Sequence, residues 1–202
     1  MNKFKIALAL TLALTSLTVL EVAHATYYSR DAFYPGNGLP DSLIGALVYF
    51  EDSSVSSYGY SSHMLTARTE FDNVPDAVIN FRRATSSEIN SAPLRFWVVE
   101  NQSSYWYGKT FNYDSNGAPL AEADAYYSAW SKVDLKLDNK KMDEAQFTTN
   151  QRKRVAVHEL GHVLSMVHQP SGFSHLASVM QLEYPNSYSL TTVDILNLQY
   201  MY

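Results

Sequence analysis

His158-Glu159-Leu160-Gly161-His162-Val163-Leu164-Ser165-Met166-Val167-His168 packs three histidines and a glutamate into one short run. At about 100° per residue, a helix turns roughly 400° between His158 and His162, so both imidazoles share one face, one turn apart. Two imidazoles so placed can reach one metal ion at the Zn–N distance of about 2 Å. Glu159 can then turn its carboxylate toward the open position of that ion, where a bound water has a pKa lowered to roughly 7. A carboxylate suits the task because it can take that proton and pass it to a leaving amine. His168 is a different case. If the helix continued, His168 would lie about 15 Å along the axis and roughly 280° round from His158. It shares the ion only if the chain breaks sharply after His162.

Working outward, Thr148-Thr149-Asn150-Gln151 has capping-box spacing and predicts the start of this helix. Arg152-Lys153-Arg154 reads as its solvated first turn. Thr191-Thr192-Val193-Asp194 repeats the capping pattern before Ile195, Leu196 and Leu198, which predicts a closing helix ending at Tyr202. Upstream, residues 132–137 alternate polar and apolar and predict a half-buried strand. Leu94–Val99 has β-branched and aromatic content suited to a strand, and residues 105–113 predict another, ending at the turn Asp114-Ser115-Asn116-Gly117. Residues 76–88 read as a helix, capped by Asn73 or Asp72, with Ala77, Phe81 and Ala84 along one face. Residues 64–71 read as a further strand, and residues 43–50 as an N-terminal one.

The chain has 202 residues, no cysteine and a net charge of −5. Without cysteine, disulfide scaffolds, thiol catalysis and cysteine-based latency are excluded. The acidic balance argues against a nucleic-acid partner. Residues 1–25 read as a signal peptide: Lys3 and Lys5 precede an apolar stretch, and Ala23-His24-Ala25 supplies a cleavage site. That stretch falls short of the ~20 residues that span a bilayer, so no stable membrane span is expected. Residues 26–202 are expected to form a single domain. Its first part, residues 26–63, is rich in tyrosine, serine and glycine and reads as an N-terminal strand with loops, or as a short propeptide.

The long histidine run resembles the metzincin zinc proteases, in the bacterial matrixin-like branch. The family's turn-forming glycine is Ser165 here. A serine at positive φ costs on the order of 1 kcal/mol or more. Ser178-Val179-Met180 resembles the Met-turn, with Met180 as the apolar floor beneath the ligands. The resemblance implies an α+β fold: a twisted mixed sheet of about five strands, a zinc-binding active-site helix and a closing C-terminal helix. It implies that His158, His162 and His168 bind Zn2+, that Glu159 is the general base, and that residues 130–137 form an edge strand pairing with substrate. The expected function is a secreted zinc endopeptidase, monomeric, acting on a protein or peptide substrate. The alternative is an inactive binding or surface protein with the same fold.

Departures from the family pattern are specific. Gln169 stands where matrixins often have serine. Leu182 stands where other branches place an oxyanion-assisting tyrosine, which leaves Tyr184, two residues on, as a candidate. Ca2+ is implied as a structural ion, with no ligands assignable; Asp114 to Gly117 reads as a hairpin turn rather than a calcium loop. His175 reads as a solvated loop residue, and His63 has no ligand-spaced partner.

Overall fold

The computed structural model describes residues 30–36, 38–101, 103–169, 176–182 and 187–202. The expected signal peptide, His175 and Tyr184 lie outside the described residues. Among the described residues, β1 (Leu47–Glu51), β2 (Phe81–Arg83), β3 (Leu94–Val99), β4 (Gly108–Tyr113) and β5 (Lys132–Asp138) form one sheet. Its order is β2-β1-β3-β5-β4. The first four in that order run parallel and β4 is antiparallel, giving the expected mixed five-stranded sheet.

Alternation creates the inner face of this sheet. Leu94, Phe96 and Val98 of β3 and Val133, Leu135 and Leu137 of β5 are buried, in register with one another. Each such side chain contributes roughly 1.5–3 kcal/mol on burial. Among the described residues, seven α-helices accompany the strands: α1 (Asp41–Ile44), α2 (Ser53–Ser57), α3 (Ser61–Asp72), α4 (Glu122–Tyr127), α5 (Asn139–Glu144), α6 (Thr149–Val163) and α7 (Thr192–Met201). α3 and α6 pack on each other, and α6 also packs on β4 and β5.

The edge assignment is corrected. β5, within residues 130–137, lies between β3 and β4, and the exposed antiparallel edge is β4. The alternation of β5 marks it as a strand but not as an edge; only the pairing decides which strand is outermost. Residues 64–71, read as a strand, lie in α3. Its buried members His63, Met64, Ala67, Arg68 and Phe71 follow a helical period. Residues 76–88 are not a helix. Asp76 takes a left-handed φ of 61°, and Phe81 to Arg83 pair in parallel with β1. In the N-terminal stretch the strand is shifted: Asp41–Ile44 is helical, and β1 begins at Leu47.

The capping reading holds in atomic detail. Gln151 N donates to Thr148 Oγ1 at 3.3 Å, and Thr148 N donates to Gln151 Oε1 at 2.9 Å. Thr148→Ala is expected to cost about 1 kcal/mol, lowering the thermal midpoint by about 2–4 °C. An unchanged melting curve would show that tertiary packing alone holds the start of α6.

Candidate active site

α6 carries His158 and His162 on its buried face, as the four-residue spacing requires. The helix ends at Leu164, and the chain then turns at Ser165, whose φ is 64°. The expected break therefore falls on the residue that replaces the family glycine. It returns His168 to the helix: His168 Nε2 lies 3.2 Å from His158 Nε2 and 3.1 Å from His162 Nε2. Among the described residues, these three form the one group of histidine, cysteine or acidic side chains able to hold a metal ion.

The second nitrogens of the two helical imidazoles are anchored. His158 Nδ1 donates to Val179 O, and His162 Nδ1 donates to Met166 O, both at 2.8 Å. A carbonyl accepts only, so each Nδ1 carries the proton and each Nε2 presents a lone pair. Burial depresses the pKa of all three imidazoles, that of His162 to about 3; for His158 and His162 a neighbouring imidazole adds to the effect. They are neutral near pH 7, as metal ligands must be. Two ligands of a tetrahedral zinc at 2.0–2.1 Å stand about 3.3 Å apart. The convergent, neutral nitrogen set therefore fits a zinc ion.

Glu159 is buried on the same helix, and burial pushes its carboxyl up to about 8 against the opposing pull of Lys109. Its side chain lies against the start of the edge strand. A Cβ on Gly108 would stand 2.5 Å from Glu159 Cγ and 2.8 Å from Oε1, so any side chain at 108 would displace the carboxylate. The spacing of the histidine run gave no hint of Gly108.

Met180 is 1% exposed and lies against α6. Gly161 admits it: a Cβ there would meet Met180 Sδ at 2.5 Å. The turn bearing Met180 is hydrogen-bonded throughout. Arg154 Nη2 donates to Ser178 O at 2.8 Å, Val179 N to Asp194 Oδ2 at 2.9 Å, and Met180 N to Ser178 Oγ at 2.9 Å. Gln169 N donates to Met180 O at 3.0 Å. Arg154, read as solvated, is thus corrected to a buried residue holding this turn. His63 is buried on α3 with its ring 4.9 Å from that of Tyr60 and takes no part in the triad. Asp114 Oδ1 accepts from Asn116 N and Ala118 N, as a hairpin turn requires.

The family model for matrixin, a peptidase family, matches residues 60–202. The chain belongs to the matrixin family. No curated protein sequence matches it. The crystal structure of myroilysin aligns over 70% of this matrixin and 58% of its own chain, with 14% identity and a TM-score of 0.35. High choriolytic enzyme 1, a hatching-enzyme zinc protease from Oryzias latipes (medaka fish), aligns over 86% of this matrixin and 96% of its own chain. The identity there is 12% and the TM-score 0.43.

Proposed function

We propose that this matrixin is a secreted zinc endopeptidase, with residues 1–25 as its signal peptide. The observation that carries the reading is the convergence of His158, His162 and His168 beside the buried carboxylate of Glu159. The three Nε2 atoms hold the ion, which when bound supplies Lewis acidity to an attacking water and to the scissile carbonyl. The positive charge of the bound ion would oppose the burial that raises the Glu159 carboxyl and favour its ionised form, which can take the proton of that water and deliver it to the leaving nitrogen. Met180 supports the imidazoles from below. Gly108 keeps the space that Glu159 needs.

The substrate is a peptide in extended form. β4 pairs with β5 on one side; on the other, Leu120 N donates to Asn112 O and Tyr113 bridges Pro119, so it is the stretch beginning at Gly108 that offers main-chain donors and acceptors to a further strand. Among the described residues no helix is long and apolar enough to cross a membrane. The edge runs directly from Gly108, next to Glu159, so a peptide laid along it passes the carboxylate.

The purified chain is expected to cleave a denatured protein substrate, and a zinc chelator is expected to abolish cleavage. Added Zn2+ is expected to restore it. Cleavage that persists at full rate in chelator, with zinc shown to be absent, would refute the assignment. A folded, zinc-loaded chain that cleaves nothing would favour the binding-protein reading instead.

A further inference from the structure

The family match begins at residue 60, yet a segment well before it lies on the loop between the second and third histidines. Val167 N donates to Ala32 O at 2.9 Å, and Tyr34 N donates to Ser165 O at 2.7 Å. Phe33 and Met166 form an antiparallel bridge between these bonds. Residues 32–34 thus make a short ladder with residues 165–167. The ladder is anchored on both sides. Phe33 is 1% exposed and its ring meets that of Tyr202 edge-on at 6.1 Å. The Tyr34 ring packs edge-on against Trp130 at 5.3 Å, and its hydroxyl stands 3.4 Å from His162 Nδ1. Further along, Trp130 N donates to Gly38 O at 2.7 Å.

The tightest point is between Gly38 and Ser165. A Cβ on Gly38 would stand 2.0 Å from Ser165 Oγ and 3.1 Å from Ser165 Cβ. Gly38 itself has a φ of 61°. Ser165 is fully buried and left-handed where the family has glycine, and its hydroxymethyl group fills the space that a side chain at 38 would need. On the other side, Ser165 hydrogen-bonds the Tyr202 hydroxyl, which donates to Leu164 O at 2.8 Å. The serine at this turn and the glycine at 38 are a matched pair.

We infer that residues 32–36 and Gly38 are a strap that positions His162 and His168 by holding the left-handed Ser165 turn, and so are part of the working enzyme rather than a propeptide. The inference rests on the zinc-peptidase reading for the identity of the ion. A residue that orients a ligand through its outer partners typically changes metal affinity by about 10- to 100-fold when altered.

The test is the pair cycle Gly38→Ala, Ser165→Gly and both together in the full chain. It is read by competition for Zn2+ against a chromogenic chelator and by thermal unfolding of the metal-free protein. Gly38→Ala is expected to weaken Zn2+ binding by about 10- to 100-fold, and Ser165→Gly by less than about threefold, since glycine favours that φ. The double variant is expected to regain about tenfold, because losing Oγ frees the space the new methyl group needs. Additive effects, or unchanged Zn2+ affinity in Gly38→Ala, would overturn the strap. If Gly38→Ala alone does not fold, the double variant decides: folded and Zn2+-binding supports the strap, unfolded overturns it. Mass analysis of the mature, zinc-loaded chain adds an arm without substitutions. A species that retains residues 32–38 supports the strap; one that has lost them and binds Zn2+ as tightly overturns it. None of these readouts needs turnover. A chain that follows the cycle but never cleaves peptide would sink the peptidase reading and leave the strap standing.

Discussion

Glu159→Gln is expected to lower kcat/KM for peptide hydrolysis by about 10²–10⁴-fold, the span typical of losing a general base. That loss corresponds to roughly 3–5 kcal/mol of transition-state stabilisation. The amide keeps the length and volume of the side chain, so it fits beside Gly108 in the space that the carboxylate occupies. It cannot accept a proton from the attacking water or return one to the leaving nitrogen. The Zn2+ content is expected to stay at one ion per chain, because Glu159 lies outside the histidine group. Glutamine therefore separates chemistry from metal binding. The check is kcat/KM with zinc stoichiometry on the same preparation. Activity within tenfold of the parent would remove Glu159 from the role of base; lost zinc would reassign it to the metal site.

The parts of this site legible in sequence were those encoded by short-range geometry. Thr148 and Gln151 are three positions apart and form the expected box. His158 and His162 are four apart and share the buried face of α6. The break before His168 followed from the impossibility of reaching the ion along a straight helix, and it lies at Ser165. What failed was decided by distant partners. Residues 81–83 are a strand because β1 pairs with them, although Ala77, Phe81 and Ala84 have helical spacing. α3 has no side chain capping its start and buries polar residues such as His63 and Arg68, which hid its period. β4 rather than β5 is the edge because sheet order is set by pairing between segments remote in sequence. Arg154 resembled a surface charge until Ser178, well downstream, supplied its acceptor. Gly108 carries no signal of its own, since its role is the absence of a side chain beneath Glu159.

Asp194 shows the same limit and carries the second large expected effect. Capping spacing assigned it to the start of α7, and it does pair there: Thr191 N donates to Oδ2 at 2.9 Å and Thr191 Oγ1 to Oδ2 at 2.8 Å. It also reaches the methionine turn. Ser178 Oγ donates to Asp194 Oδ1 at 2.5 Å and Val179 N donates to Oδ2 at 2.9 Å. Asp194 is 0% exposed, and all four of these groups act as donors to an acceptor-only carboxylate. Asp194→Ala removes every acceptor of this set, whereas Asp194→Asn can keep its amide oxygen on the three Oδ2 donors and turn its NH2 toward Ser178 Oγ, a hydroxyl able to accept, so alanine is expected to be the more damaging change. The expected cost is about 3–5 kcal/mol, as for breaking one member of a buried charged network. The thermal midpoint should fall by at least about 6 °C. The damage should reach the metal, because the Val179 peptide links the two: its N–H binds Asp194 and its C=O accepts from His158 Nδ1 at 2.8 Å. Zn2+ affinity is therefore expected to drop about 10- to 100-fold in any fraction that remains folded. Chelator competition on Asp194→Ala at a temperature well below its midpoint measures this. If the midpoint falls while Zn2+ affinity holds, Asp194 only caps α7, and the Val179 peptide is oriented by the burial of Val179 and Met180 instead.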